Sequence, residues 1–430
     1  MDVGIIFTAF IIGLGLLLIG IPIGVVMVVL GTIGGVLAYG PPFVGSIGSV
    51  VWGVQNENIL TAVPLFILMG ELLLRTGIAD GMYKGLSVWF RRLPGGLVHT
   101  NIGCSALFAA TTGSSVACAA TIGNVALPEL DKRGYSKRQA LGSLAAGGTL
   151  GILIPPSIAL LIYGGLTNNS ISKLFVGGVI PGILLTLSFM LYILIVNIKD
   201  KAYRREPKPT WRERMESLPP LIPPLVIFLV VMGSIYFGIA TPTESAALGI
   251  LTALLFAAIR RKLSLKVLHA CFVRSAQLTG MILLIIVGAF VLNLLLSLVG
   301  VAQVMTKWVM SKNLSLNNLL LILIVFYLIL GCFLDVLSIQ VATIPIAYPI
   351  VTAVGGDAIW FGIFIVLMSE IGMITPPVGM NLFVIQGVRR DGGDLADTIW
   401  GAFPFVFIML AFTLLLMVFP EIVLWLPSKM

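Results

Sequence analysis

The chain has 430 residues, of which 58% are hydrophobic and only 10% charged, with a mean hydropathy of +1.09. A soluble domain carries about a quarter charged residues, so no water-soluble fold could hide this much apolar side chain, and lipid must be part of the solvent. The net charge of +8 does not point to nucleic acid, because the Lys and Arg sit in short loops between apolar spans, where they set topology.

The apolar spans run over 4–20, 21–39, 58–76, 97–128, 139–165, 174–198, 218–238, 240–259, 275–300, 316–352, 358–388 and 399–426. Most are near the ~20 residues that one helical crossing takes. They are continuous and Gly-rich, as packed membrane helices are, whereas a barrel would alternate in polarity over segments of about ten residues. The first span follows Met1-Asp2-Val3, without a basic leader region, and runs on into the second, so no cleavable signal peptide is expected. Cys104, Cys118, Cys271 and Cys332 are scattered, with no spacing for a metal or disulfide framework. His99 and His269 are isolated near loop ends and read as interfacial or packing residues.

Spans 97–128 and 316–352 are too long for one crossing, and each has a polar interruption near its middle. In the first it is Thr111-Thr112-Gly113-Ser114-Ser115; in the second it runs from Asp335 through Ser338 to Gln340. Both read as hairpins that enter the membrane and turn back, which is tolerated only where the tip faces protein or a watery cavity. The basic clusters are Lys84/Arg91/Arg92, Lys132/Arg133/Lys137/Arg138, Lys199 to Arg214, Arg260 to Arg274 and Arg389/Arg390. With all five in the cytoplasm the spans alternate consistently, and both termini lie outside. The stretch 199–217 is a basic cytoplasmic linker between a first half, 1–198, and a second, 218–430.

The halves match. Gly151-Ile-Leu-Ile-Pro155-Pro156 resembles Gly372-Met-Ile-Thr-Pro376-Pro377 at an offset of 221 (372 − 151), and Pro128 pairs with Pro349 at the same offset. Pro22 pairs with Pro242, Gly164 with Gly387 and Pro181 with Pro404 at 220 to 223. Each half reads as three spans, a hairpin, a Pro-Pro-broken span (139–165 and 358–388) and a final span. The first half has six such elements, so with a cytoplasmic linker the second enters from the other side. The fold class expected is therefore an all-α polytopic membrane protein of two inverted repeats, an arrangement typical of secondary transporters with sites at the midplane.

A Pro-Pro pair inside an apolar span cannot be ordinary helix, because each Pro lacks an N–H and clashes with the preceding turn. The carbonyls of Gly151, Ile154 and Pro156, and those of Gly372, Thr375 and Pro377, are expected to lose their intrahelical donors. A freed carbonyl in hydrocarbon costs several kcal/mol unless something satisfies it, and Na⁺, a hard cation that takes oxygen ligands, does so. The tips facing the breaks supply further oxygens: Thr112, Ser114 and Ser115 in the first half, Asp335 and Ser338 in the second. Two Na⁺ sites are thus expected, with no organic cofactor. Ser114 and Asp335 are equivalent at the offset of 221, so the first site is neutral and the second carries a carboxylate. For Ser and Thr at a tip the alternative role is helix capping; for Asp335 a charge at this depth is expensive and points to function. Glu244, after Thr241-Pro242-Thr243, reads as a complement to a helix start. Glu71 reads as a partner of Arg75 one turn away, and Glu370, five residues ahead of the second break, as a support to its cation. Helices restarting after a turn aim N–H groups at the gap between the tips, which favours an anionic substrate there, against Thr112, Ser114 and Asp335. No Gly-x-x-x-x-Gly-Lys-Ser/Thr run and no Gly-x-Ser-x-Gly elbow occurs, so the energy source is a gradient or another chain's ATPase, and no enzyme is expected.

Pro64-Leu-Phe-Ile-Leu-Met-Gly70, Thr112-Gly-Ser-Ser-Val-Ala117, Gly151-Ile-Leu-Ile-Pro-Pro-Ser157, Thr241-Pro-Thr-Glu-Ser245 and Ile374-Thr-Pro-Pro-Val-Gly-Met-Asn381 together resemble the large membrane subunit of tripartite ATP-independent periplasmic (TRAP) transporters. The resemblance runs over essentially the whole chain. It implies a bacterial inner-membrane, Na⁺-coupled importer of small organic anions such as C4-dicarboxylates or sialic acid, working by an elevator mechanism. It also implies two partners, a separate small membrane subunit of four helices and a soluble periplasmic binding protein. A binding-protein-independent Na⁺/anion or Na⁺/H⁺ transporter on a related two-hairpin fold is the alternative; a non-transporting scaffold or intramembrane enzyme offers no reason for the duplicated breaks.

Overall fold

Where no water is at hand, an apolar span satisfies its backbone only by coiling into a helix, and this chain does so almost throughout. The computed structural model describes residues 8, 11–13, 15–17, 19–199 and 208–430, and among them there is no strand. Residues 4–7, 9, 10, 14 and 18 of the first span and 200–207 of the linker lie outside these residues. In chain order come α1 (Ile23–Tyr39), α2 (Pro42–Gln55), α3 (Ala62–Arg75) and α4 (Ile78–Phe90), then α5 (Leu97–Thr112), α6 (Ser115–Lys132), α7 (Lys137–Leu153), α8 (Ile158–Thr167) and α9 (Ile171–Asn197). A short α10 (Trp211–Glu216) precedes α11 (Ile222–Tyr236), α12 (Pro242–Ile259), α13 (Leu265–Val299) and α14 (Val301–Ser311). The chain closes with α15 (Leu316–Gly331), α16 (Val336–Ala353), α17 (Ala358–Met373), α18 (Met380–Val388), α19 (Leu395–Val418) and α20 (Glu421–Leu424). Among the described residues six helices are long and apolar enough to cross a membrane, or seven if α3 and α4, bent by 68° at Thr76–Gly77, count as one. This is a multi-pass membrane protein.

The helices differ from the sequence expectation where polar residues hide a helix from hydropathy. α4 is amphipathic, burying Ile78, Ala79, Met82 and Tyr83 while Lys84 faces out, so its basic stretch is helix rather than loop. α13 starts at Leu265, not 275, because Ser264 caps it by accepting from the Val267 N–H at 3.2 Å and Lys266 and Arg274 merely decorate its first turns. Its 35 residues make it roughly 52 Å long, well beyond the hydrocarbon thickness. The Gly- and Ser-rich α2 and the short α14 fall between expected spans, and the last span breaks at Phe419–Pro420. Glu71 pairs with Arg75 at 3.2 Å, and Glu244 closes a capping box with Thr241, as expected.

The core is made of the two helices that lead into the breaks. Every residue of α7 from Ala140 to Leu153, and of α17 from Trp360 to Met373, is buried. Lipid tails are as apolar as Leu, so helices gain by close backbone approach rather than by hiding apolar surface, and small residues mark the crossings. α7 carries Gly142, Gly147, Gly148 and Gly151 on such contacts, and a Cβ on Gly142 would overlap the Gly401 carbonyl of α19. Outward, Ile183, Leu187, Leu191 and Ile195 make a stripe along α9, each more than half exposed, as a lipid-facing helix requires.

The first and second halves meet at both ends of the broken helices. At one end Lys137, at the start of α7, pairs with Asp131 at 2.6 Å and with Asp391, beyond the end of α18, at 2.9 Å. Arg138 pairs with Asp397 at 3.3 Å, and Arg389 with Asp397 at 3.3 Å and with Asp391. At the other end Tyr163 of α8 donates to the Ala358 carbonyl at the start of α17 (2.6 Å), and Asn169 donates to the Tyr348 hydroxyl (3.1 Å). The two broken helices therefore run antiparallel to one another.

Gly142→Val is expected to lower the melting temperature of the purified protein by several degrees, since overpacking a filled crossing typically costs about 1–3 kcal/mol. Gly48→Ala, whose Cβ meets nothing within 4 Å, should melt like the unaltered chain; equal melting of all three would disprove the close crossing. The Arg389 guanidinium, and then Lys137, hold the Asp391 carboxyl well below the usual carboxylate range. A depressed acid stabilises the fold above its unfolded value of about 3.9 and loses that contribution as pH falls. Asp391→Asn should therefore melt lower at pH 7, with the gap starting to narrow only below about pH 4 and closing as pH falls through the depressed native value; a pH-independent gap would show that the charge is not responsible.

Candidate functional site

In the first half α5 ends at Thr112, the chain turns through Gly113 at φ +61°, and extended Ser114 starts α6. The Ser114 hydroxyl caps α6, accepting from the Ala117 N–H at 3.4 Å, and the Thr112 hydroxyl donates to the Phe108 carbonyl at 3.2 Å. This tip is pressed into the break between α7 and α8. A Cβ on Gly113 would lie 2.7 Å from the Pro156 carbonyl oxygen, and one on Gly151 would lie 2.8 Å from the Ser114 carbonyl oxygen. Gly113 is therefore required twice, by its positive φ and by the approach. Of the expected carbonyls, that of Gly151 has no donor four residues on, where Pro155 stands, and the Ile154 N–H goes to Leu150 at 3.1 Å. No backbone N–H outside the regular helices reaches the carbonyls of Ile154 or Pro156 among the described residues. Every residue from Gly151 to Ser157 is buried. Donorless carbonyls and a Gly cradle that any side chain would fill suit a small dehydrated cation.

The second half repeats the contact with different chemistry. α15 ends at Gly331, and a Cβ there would lie 2.7 Å from the Gly372 Cα; the Val378 N–H donates to the Cys332 carbonyl at 3.1 Å. Asp335 caps α16 as Ser114 caps α6, its carboxylate accepting from the N–H groups of Leu337 (3.1 Å) and Ser338 (3.4 Å) and from the Ser338 hydroxyl. One expectation needs correction. The Gly372 carbonyl is not donorless, because the chain tightens into a 3-10-type turn in which the Thr375 N–H reaches it at 3.2 Å. The Thr375 hydroxyl donates to the Ile371 carbonyl at 2.6 Å. The Ile374 N–H also reaches the Gly372 oxygen, whereas among the described residues the carbonyls of Thr375 and Pro377 receive no backbone donor outside the helices. Unlike the first break, this one is open: Pro377 and Val378 are exposed.

A third constellation joins the two. The Ser115 hydroxyl, next to the first tip, lies 2.8 Å from Oε2 of Glu370 and 3.0 Å from the Gly148 carbonyl, and it accepts from the Asn381 amide at 3.1 Å. Asn381, the second residue of α18, also donates to the Ala145 carbonyl of α7 at 3.3 Å. Glu370 and Asn381 are fully buried, and Glu370 Oε1 and Asn381 Oδ1 have no partner. Sequence reading placed Glu370 beside the second cation and passed over Asn381 as a site residue. The signal available was a polar residue on each arm of the break, Glu370 before it and Asn381 after it, but nothing local says that both reach Ser115. Gln340, also fully buried, leaves both amide atoms unpartnered. Among the described residues no group of three His, Cys, Asp or Glu side chains forms a metal cluster.

A family profile described as "Tripartite ATP-independent periplasmic transporter, DctM component" matches residues 10–422. The chain is 34% identical over 394 residues to the C4-dicarboxylate TRAP transporter large permease protein of Pseudomonas aeruginosa, covering 91% of this chain and 92% of that one. It is 30% identical over 418 residues to the sialic acid TRAP transporter large permease protein of Vibrio cholerae, covering 96% of each. In fold it is similar to the solved YdaH transporter of Alcanivorax borkumensis, with a TM-score of 0.60 at 12% identity over 96% of this chain and 98% of that one. With two tips seated in two proline breaks, and with a match spanning nearly all of its length, the chain belongs to the tripartite ATP-independent periplasmic transporter family, as the DctM component.

Proposed function

We propose that this chain imports a small organic anion, a carboxylate of the C4-dicarboxylate or sialic acid kind, across a bacterial inner membrane, coupled to Na⁺ entry. The observation that carries this reading is the seating, in each half, of a capped helix start against a proline break that leaves carbonyls without backbone donors, those of Gly151, Ile154 and Pro156 in the first and of Thr375 and Pro377 in the second. Na⁺ is a second cargo, held in the first half by oxygens of Ser114, Gly151, Ile154 and Pro156, and in the second by those of Asp335, Ser338, Gly372, Thr375 and Pro377. The anion lies between the tips, at the N-terminal ends of α6 and α16, together with Thr112, Ser114 and Asp335. Family membership supports the partners, since a tripartite system with a large permease calls for a small membrane subunit and a periplasmic binding protein.

The antiparallel course of the two broken helices supports an inverted repeat with the midplane between the halves. The hairpins α5–α6 and α15–α16 and the broken helices α7–α8 and α17–α18 then form one body, tied at both ends by the contacts described above. In an elevator mechanism this body slides against the remaining helices and carries both cargoes across. Both termini and the linker follow the orientation set by the basic loops, with the termini periplasmic.

In proteoliposomes, Asp335→Ala should abolish Na⁺-dependent uptake. Because Asp335 also caps α16, Asp335→Asn is the sharper test: Asn caps as well as Asp, yet uptake should still fail, and normal uptake would remove Asp335 from the site. Ser114→Ala should raise the Na⁺ concentration for half-maximal uptake by about fivefold, the weight of an interaction of about 1 kcal/mol. Uptake by this chain with a plain anion and no soluble protein would favour the binding-protein-independent alternative.

A further inference from the structure

We infer that Glu370, although it belongs to the second half, serves the first cation site: it is a positioning residue that holds Ser115 and supplies the carboxylate which that half lacks. This rests on the function proposed above, and on three observations independent of it.

The first is placement. Between Leu97 and Thr167 the first hairpin and broken helix carry acids only at Glu129 and Asp131, beside the ion pairs that close one end of the broken helices. The tip and break of the first half thus have no carboxylate of their own. Glu370 is fully buried and its one hydrogen-bonding oxygen sits 2.8 Å from the hydroxyl of Ser115, the residue after the tip Ser114. Asp335 is the corresponding acid for the second tip, so each tip has one carboxylate at its helix start, one local and one borrowed across the repeat.

The second is convergence. At the Ser115 hydroxyl the first tip, the arm before the first break (Gly148), the arm before the second break (Glu370) and the arm after it (Asn381) all meet. Gly148 makes room for this, since a Cβ there would lie 2.9 Å from the Asn381 amide nitrogen. A hydroxyl has one proton and two lone pairs, so with these partners Ser115 is largely committed to the junction. Ser114, with its hydroxyl on the α6 cap and its carbonyl at the break, remains the residue facing the cation.

The third is the absence of a cationic partner. Among the described residues Glu370 Oε1 is buried with no hydrogen bond, and the one side chain bonded to the other oxygen is the Ser115 hydroxyl. A buried carboxylate without a protein counter-charge is expensive, and a cation bound at the adjacent tip relieves it. Such a junction makes the two halves respond together, because a shift of either tip moves the same hydroxyl.

The test is the melting temperature of the purified full-length chain, titrated with NaCl against choline chloride at constant ionic strength. The unaltered chain should be stabilised by Na⁺, and Ser114→Ala should weaken that response. Glu370→Gln should raise the Na⁺ concentration for half-maximal stabilisation by about tenfold, whereas Glu71→Gln, an acid already paired with Arg75, should leave it unchanged. Ser115→Ala, which cuts the link but keeps the carboxylate, should also raise it, and combining it with Glu370→Gln should add little further. If Na⁺ does not stabilise the unaltered chain, the proposed function fails. If it does, and Ser114→Ala weakens the response while Glu370→Gln or Ser115→Ala titrates like the unaltered chain, the assignment of Glu370 to the first site is overturned. Should Glu370→Gln not fold, Ser115→Ala decides alone.

Discussion

The constraint on which this molecule turns is that a backbone carbonyl within a membrane must find a donor or a cation. Pro155 and Pro376 each remove a donor one turn after a carbonyl, at Gly151 and Gly372, in helices buried on every side. In soluble proteins water would repair such a gap. Here a helix tip is pressed against each break; in the second the Thr375 N–H reaches the Gly372 carbonyl and the Val378 N–H the Cys332 carbonyl of the tip, while in the first the Gly151 carbonyl has no backbone donor four residues on. The glycines at these contacts follow from the same demand: Gly113 with Gly151, and Gly331 with Gly372, let backbone meet backbone at a separation that no Cβ permits.

That demand also explains why the broken helices are the core rather than the periphery. Lipid offers the interrupted stretches nothing, so the other helices enclose them. Small residues along α7 then allow α5, α6 and α19 to close in. The result is a body whose two halves are joined through an ionic layer at one end, tyrosines at the other, and the Ser115 junction in between. Its outer faces are apolar, as on α9, and suit lipid or a membrane partner. Ties at three levels are what the proposed elevator movement asks of such a body.

The halves are related without being equal. The first break is sealed from solvent while the second is open at Pro377 and Val378, and the capping residue is a hydroxyl in one and a carboxylate in the other. The Thr375 N–H rescues the Gly372 carbonyl, where Ile154, at the matching position, sends its N–H back to Leu150. In the function proposed above, the two cradles therefore hold ions of the same charge with unequal local chemistry.

Hydropathy by itself determined that the chain lives in lipid, where most helices run, and where two of them break, because burial of apolar side chains and the missing proline N–H are local properties. Ser114 and Asp335 stood out as tip residues for the same reason, but the sequence offered capping only as the alternative role of Ser114, and that Asp335 caps α16 came from the structure. Helices α4 and α14 and the first turns of α13 escaped, since Lys, Gly and Arg lower hydropathy without hindering a helix that packs on a neighbour. The fate of the Gly372 carbonyl depended on a turn geometry that Thr-Pro-Pro permits but does not impose. What only the tertiary structure decided is the meeting of Ser115, Glu370 and Asn381. Ser115 lies more than 250 residues along the chain from both of the others, and Gly148 makes room for the Asn381 amide beside it. No local propensity encodes a contact whose partners are brought together by packing.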